Sequence, residues 1–185
     1  YSLRFTVSPA VLIPRPETEH LVDEGVAYLR TLEERETPPR VLDLGAASGN
    51  ISVALASQCP RAPVDAIDVS DDAIAIAPGN ATDNAVGARV RFLRGDLFDA
   101  LPTDAGRYDL IVSNPPYVAG GEFDTLMDDV RCFEPRLALV DEKSPSKDGL
   151  GFYRAIAESV REHLADDGIV LVEVGDAQAV AVAAM

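Results

Sequence analysis

Four consecutive residues, Asn114-Pro115-Pro116-Tyr117, stand directly after the apolar run Tyr108 to Ser113. An amide, two rigid prolines and an aromatic at the end of a buried strand suit the capture of a planar nitrogen. Proline fixes φ and carries no backbone donor, so the Asn114 side-chain oxygen and the neighbouring main-chain carbonyls can face an NH2 group without local competition. Tyr117 offers a ring face to a flat group. A carboxamide and a nucleobase both answer that description, and a Pro-Pro pair is also an ordinary way to end a strand.

Other candidate residues fall at the ends of other apolar runs. Asp43-Leu44-Gly45-Ala46-Ala47-Ser48-Gly49 follows Val41-Leu42 and reads as a glycine-containing turn. Such a turn lets a ligand approach the backbone and presents NH groups at the helix that follows. Asp68 comes about twenty residues later, the spacing at which an acidic residue suits a ribose diol. Asp96 can accept from an adenine amino group. Each signal is weak alone, since Asp68 also reads as a helix cap or a solvated residue, but the set in order at successive strand ends is far stronger. Nothing competes with it: His20 and His163 read as surface residues, and no Ser-His-Asp, zinc-ligand or P-loop pattern occurs. Cys59 and Cys132 read as reduced structural thiols.

These residues need elements to position them, and segments of two kinds alternate. An amphipathic helix runs from about Thr18 to Leu32, and Pro38-Pro39 hands over to a strand at Arg40 to Leu44. Helix Asn50 to Ser57 and strand Val64 to Val69 follow. Ser70 with Asp71 and Asp72 forms a helix N-terminus. Pro78-Gly79 is expected to break that helix, because an interior proline costs about 3 kcal/mol. Strands are expected at Val90 to Leu93, Tyr108 to Ser113 and Ile169 to Val174, the last after a turn at Asp166-Asp167-Gly168. A helix covers Leu150 to Leu164, and Asp141 to Gly151 is expected to be a mobile surface loop. The alternation predicts an α/β fold with a mainly parallel twisted sheet and helices on both faces. Ligands then bind at the carboxyl ends of the strands, where strand order reverses.

The 185 residues suit one domain, 1–185, and the net charge is -15. A protein that grips a phosphate backbone normally shows a basic stripe. Here the locally basic stretch is Arg89, Arg91 and Arg94, read as a solvated strand edge, and lysine is limited to Lys143 and Lys147. Direct nucleic-acid binding is therefore not expected. No apolar run of about 18 residues and no leader pattern appears, which predicts a cytoplasmic protein without a membrane partner.

The chain resembles the class I S-adenosylmethionine-dependent methyltransferases, and within them the HemK-type protein-(glutamine-N5) methyltransferases that modify peptide-chain release factors. The resemblance rests on Val11 to Glu19 (Val-Leu-Ile-Pro-Arg-Pro-Glu-Thr-Glu), Asp43 to Gly49, Asn114 to Tyr117, Phe133 to Leu139, and Asp148-Gly149-Leu150 with Phe152-Tyr153. It implies a Rossmann-like fold and S-adenosyl-L-methionine as cofactor. By resemblance, Gly45 and Gly49 line its methionine part, Asp68 holds the ribose, and Asp96 and Leu97 flank the adenine. Thr18 and Glu19 close over its amino-acid end. Asn114 and the Pro115 carbonyl bind the target amide, with Tyr117 beside it. The implied partner is a peptide-chain release factor. A sister group acting on a ribosomal-protein glutamine shares much of the pattern, nucleic-acid amino methyltransferases share Asn-Pro-Pro-Tyr, and a non-catalytic binding module is the remaining reading. Two residues depart from the family: Ala47 stands where glycine is usual, and Pro78-Gly79 replaces a helix-compatible pair. The family's N-terminal helical docking domain is expected to be absent from this chain, and the sheet is expected to lack its last strand pair, after Val174.

Overall fold

The computed structural model describes residues 1–185. In chain order, Thr18–Thr31 forms α1, Val41–Leu44 β1, Asn50–Gln58 α2, Val64–Asp68 β2, Asp71–Asp83 α3, Val90–Arg94 β3 and Tyr108–Ser113 β4. Asp128–Phe133 forms α4, Arg136–Leu139 α5, Gly151–His163 α6, Leu164–Val172 β5 and Ala179–Ala183 α7. The sheet has five strands in the order β3-β2-β1-β4-β5, and every neighbouring pair is parallel. This is the expected Rossmann-like architecture. The chain steps outward from β1 to β3, then returns to the far side of β1 as β4. Leu44 therefore lies opposite Ser113, and the turn after β1 opens beside Asn114.

Strand residues divide between two cores by alternation, because successive side chains point to opposite faces. Val41, Val64, Ala66, Leu110 and Val112 pack with α1, α2 and Ala81 of α3. Leu42, Leu44, Ile67 and Ile111 pack on the other face with Phe98 and Ile156 of α6, and Tyr108 joins them, out of step with Leu110, at the irregularity that begins β4. β1 is buried along its whole length, as a central parallel strand must be. No helix is long and apolar enough to cross a membrane.

Several expectations are corrected. α3 runs unbroken through Pro78. Its buried face of Ala73, Ala77, Asn80 and Ala81 holds it in place, and tertiary packing outweighs the local cost of proline. Asn80 Nδ2 donates to the carbonyls of Ser48 (2.8 Å) and Thr6 (3.0 Å), while its Oδ1 accepts from Thr6 N (2.7 Å). The segment 141–151 is cross-tied, not a free surface loop. Buried Asp141 accepts from Lys143 N and Gly151 N, and Asp148 accepts from Ser144 and Arg154. β5 begins at Leu164, earlier than expected, and the Asp-Asp-Gly turn becomes a bulge. Tyr108 pairs with Leu164 and Leu110 with Ile169, leaving the intervening residues of β5 to bow out. His163 is only partly exposed, with its ring stacked on Phe98 at 4.6 Å between centroids. Cys59 is buried and Cys132 is exposed, so only Cys59 serves packing.

The edge strand β3 behaves as its sequence suggested. Arg91 spans both Asp65 oxygens at 2.8 and 2.9 Å, and Arg94 pairs with Asp71 at 3.0 Å. Arg89 instead turns inward to the Ala56 carbonyl.

Candidate functional site

The turn after β1 is built from left-handed residues: Gly45 at φ +82°, Ala47 at +48° and Gly49 at +80°. Gly45 N and Ala46 N both donate to the Ile67 carbonyl, at 2.8 and 2.9 Å, which anchors the turn to the end of β2. Ala47 N donates to Asp68 Oδ2 and Ser70 N to Asp68 Oδ1, each at 2.8 Å. One carboxylate thus bridges the turns after β1 and β2. Burial raises the Asp68 pKa, and the backbone amides of Ser70, Ala47 and Val69 oppose that rise by favouring its anion. Beneath the turn, Asp43 is fully buried. Its Oδ2 accepts from Ser52 N (3.1 Å) and from the Ser52 hydroxyl, while its Oδ1 has no partner. Desolvation pushes its pKa up to about 7 against those bonds.

Asp96 at the end of β3 accepts from Lys143 Nζ at 2.6 Å, and the ammonium also lies 5.3 Å from the centre of the Phe152 ring. Leu97 follows with φ +46°, an unusual angle for a residue bearing a side chain. At the end of β4, Asn114 Nδ2 donates to Thr18 Oγ1 at 3.3 Å, and Thr18 Oγ1 donates to Glu173 Oε2 at 2.6 Å. Glu173 is held where it is by its backbone. Its N donates to the Ser113 carbonyl and its carbonyl accepts from the Tyr153 hydroxyl of α6.

A cleft at the carboxyl ends of the strands brings together Gly45, Asp68, Asp96, Leu97 and Asn114. Its walls include Val69 and Phe152, and Ala10 to Leu12 lie over it. Apolar walls, two carboxylates and a glycine backbone suit a ribosyl purine, with the flat base between hydrocarbon surfaces and the diol on an acceptor. The remaining candidates lie elsewhere. Gly49 is buried, with Ala77 and Phe92 against the position a Cβ would take. Thr18 and Glu19 border a separate hollow with Arg15 and Asn50. Pro115 is buried, and Tyr117 is partly buried against Gly175. Burial, followed by the nearby Glu173 charge, raises the Tyr117 pKa.

A family model described as the methyltransferase small domain matches residues 18–130. The chain belongs to that family.

Among curated proteins, the chain is 46% identical over 181 residues to the release factor glutamine methyltransferase of Bordetella pertussis, covering 98% of this chain and 63% of that one. It is 41% identical over 179 residues to the protein of the same name from Fusobacterium nucleatum, covering 97% and 48%. The chain therefore spans about half to three fifths of the length of these relatives. Among solved structures, a methyltransferase from Pyrococcus furiosus shares the fold with a TM-score of 0.63 at 19% identity, over 98% of this chain and 74% of that one. A methyltransferase from Thiobacillus denitrificans in complex with S-adenosyl-L-homocysteine aligns with a TM-score of 0.51 at 22% identity, over 92% and 55%.

The chain also carries site features that its sequence did not announce. Glu134, 7% exposed, accepts from Ile13 N at 3.2 Å and from Arg15, so the Ile-Pro-Arg-Pro and Glu-Pro-Arg segments meet on one carboxylate. Both segments had been marked by resemblance, but nothing in their spacing links them. Lys143 and Glu173 lie in stretches with no motif of their own. A lysine in the stretch Glu142-Lys143-Ser144 and a glutamate just past a strand carry no signal until the fold sets them beside Asp96 and, through Thr18, Asn114.

Proposed function

We propose that residues 1–185 form a catalytic domain that transfers a methyl group from S-adenosyl-L-methionine to the side-chain amide nitrogen of a glutamine, in a peptide-chain release factor. The observation that carries this reading is Asn114. Its NH2 end is engaged by Thr18, leaving the amide oxygen as the acceptor available to a substrate NH. The two relatives at 41% and 46% identity, named for release factor glutamine methylation, supply the substrate class.

When bound, S-adenosyl-L-methionine supplies an electrophilic methyl on a sulfonium. Asp68 would accept from its ribose hydroxyls with the lone pairs that Ala47 and Ser70 leave free. Asp96 would accept from the adenine amine, and Leu97, Val69 and Phe152 would hold the ring. Gly45 would border the amino-acid portion, with Gly49 shaping the turn that carries it. Glu19 borders the neighbouring hollow and pairs with the Tyr1 amino group at 3.2 Å, so the cleft itself gives it no contact with the cofactor.

An amide nitrogen is a poor nucleophile because its lone pair is delocalised into the carbonyl. The Asn114 oxygen and the Pro115 carbonyl would take its two hydrogens and fix the nitrogen in one orientation, with Tyr117 packed beside it. Fixing geometry in this way contributes several kcal/mol to a rate. As positive charge grows on nitrogen, the same carbonyl dipoles stabilise it. The nitrogen–carbon bond would form as the methyl–sulfur bond breaks, the neutral thioether would leave, and the cationic N-methylated amide, a strong acid, would give its surplus proton to solvent water. No strong base is therefore needed, and neither histidine offers one: His20 is exposed on α1 and His163 stacks on Phe98.

Mass spectrometry after incubation with a release factor, a ribosomal protein and duplex DNA tests the reading. A gain of one methyl on a release-factor glutamine is the expected result. Methyl-adenine in DNA with no protein product would overturn it, and methylation of the ribosomal protein alone would move the substrate to the sister group.

A further inference from the structure

We propose that Thr18 and Glu173 are positioning residues that set which end of the Asn114 side-chain amide faces the cleft. Proton counting leads there. A hydroxyl has one proton, and an ionised carboxylate only accepts. The bond of 2.6 Å from Thr18 Oγ1 to Glu173 Oε2 commits the threonine proton to the glutamate. Thr18 Oγ1 can then only accept from Asn114, at 3.3 Å, so the group facing it must be the NH2. In the reversed amide two oxygens would meet with no proton between them. The two orientations have nearly the same shape, so sterics cannot choose between them, and the hydrogen-bond chain does.

Each link is held from a different element. Thr18 opens α1 and is 2% exposed. Asn114 follows β4, and Glu173 follows β5 with its backbone fixed by Ser113 and Tyr153. Glu173 has no Lys or Arg partner within ion-pair distance, so its carboxylate remains free to hold the threonine proton. This role differs from the one that resemblance gave Thr18, over the amino-acid end of the cofactor. The inference rests on the proposed glutamine methylation for its catalytic meaning, although the orientation itself does not.

The test uses the 185-residue chain as wild type, Thr18→Val, Thr18→Ser and Glu173→Gln. Valine keeps the shape of threonine and removes the hydroxyl. Serine keeps the hydroxyl. Glutamine can turn either end toward Thr18 and so permits both amide orientations. Turnover on the release factor should fall about tenfold or more in Thr18→Val and Glu173→Gln, the scale of a small misplacement, and recover in Thr18→Ser. Affinity for S-adenosyl-L-methionine, read by calorimetry, should stay within about twofold in all three, a change of about 0.4 kcal/mol. Independently of activity, the Asn114 side-chain NH2, identified by its loss in Asn114→Asp, should show a nuclear Overhauser contact to the Thr18 methyl. A contact to Pro116 or Ala138 in its place would overturn the proposal. So would full turnover in both disruptive variants, or weakened cofactor binding with turnover intact. If wild type methylates no glutamine, the functional reading fails, and the Overhauser contact still decides the orientation.

Discussion

Ala47 holds a left-handed φ of +48° in the turn beside the cleft, where resemblance led to the expectation of glycine. A left-handed residue with a Cβ costs roughly 1–2 kcal/mol, and the unfolded-state entropy of glycine returns part of that. Ala47→Gly should therefore stabilise the domain by about 0.5–1 kcal/mol in a denaturant titration. It should also tighten S-adenosyl-L-methionine binding, and weaker binding would mean that the turn has adapted to alanine. Asp68 has two duties, since it already bridges Ala47 N and Ser70 N. Asp68→Ala should weaken the cofactor by about 1–3 kcal/mol and also lower the melting temperature. Asn114→Ala should abolish most turnover with cofactor affinity nearly intact, and equal loss of both would make the residue structural.

Asp43 gives a pH signature at the same scale. Its pKa rises from 3.8 to about 7 on folding, with burial as the main cause. Between those values the folded state binds more protons than the unfolded one, so this group's contribution falls as pH rises and is lowest above about pH 7. The slope approaches about 1.4 kcal/mol per pH unit. Asp43→Asn should remove that component. Melts of both proteins at intervals across the window should show the variant gaining relative to wild type as pH increases, and parallel curves would refute the shift.

At the scale of elements, α3 shows local propensity giving way to packing. Pro78 and Gly79 are adjacent and exposed, yet the helix continues because Ala73, Ala77 and Ala81 are buried and Asn80 is bonded on three sides. A Cβ added at Gly79 would meet nothing within 4 Å. Gly79→Ala should therefore stabilise the domain by about 1 kcal/mol, the interior helix penalty of glycine. Asn80→Ala should do the reverse. It releases Thr6 and Ser48 together, and hydrogen exchange should show faster amides over the N-terminal segment that leads to Ala10 to Leu12 above the cleft. Unchanged exchange there would show that the segment is held by apolar contacts such as those of Val11.

For the molecule as a whole, a net charge of -15 opposes compaction. Its favourable ion pairs are mostly at the surface, where each contributes little. Raising salt from ~0.01 M to ~1 M shortens the screening length from about 30 Å to about 3 Å, so the melting temperature should rise. A fall would mean that the pairs of Asp65 with Arg40 and Arg91 outweigh the general repulsion.

The alternation of strands and helices, the parallel sheet and the strand-end residues Asp68, Asp96 and Asn114 were all legible in the sequence. They follow from local periodicity, from proline and glycine placement, and from the rule that such sheets bind ligands at their carboxyl ends. The pairing of distant polar groups was not legible. Glu134 with Ile13 and Arg15, Lys143 with Asp96, and Glu173 with Thr18 join residues separated by 121, 119, 47 and 155 positions. No spacing rule reaches so far, because each pair depends on where the chain crosses over and how the register of β5 against β4 is set. The sequence by itself determined which residues stand at the mouth of the sheet. Only the tertiary structure decided which way the Asn114 amide points, because that choice belongs to a hydrogen-bond chain assembled from three separate elements.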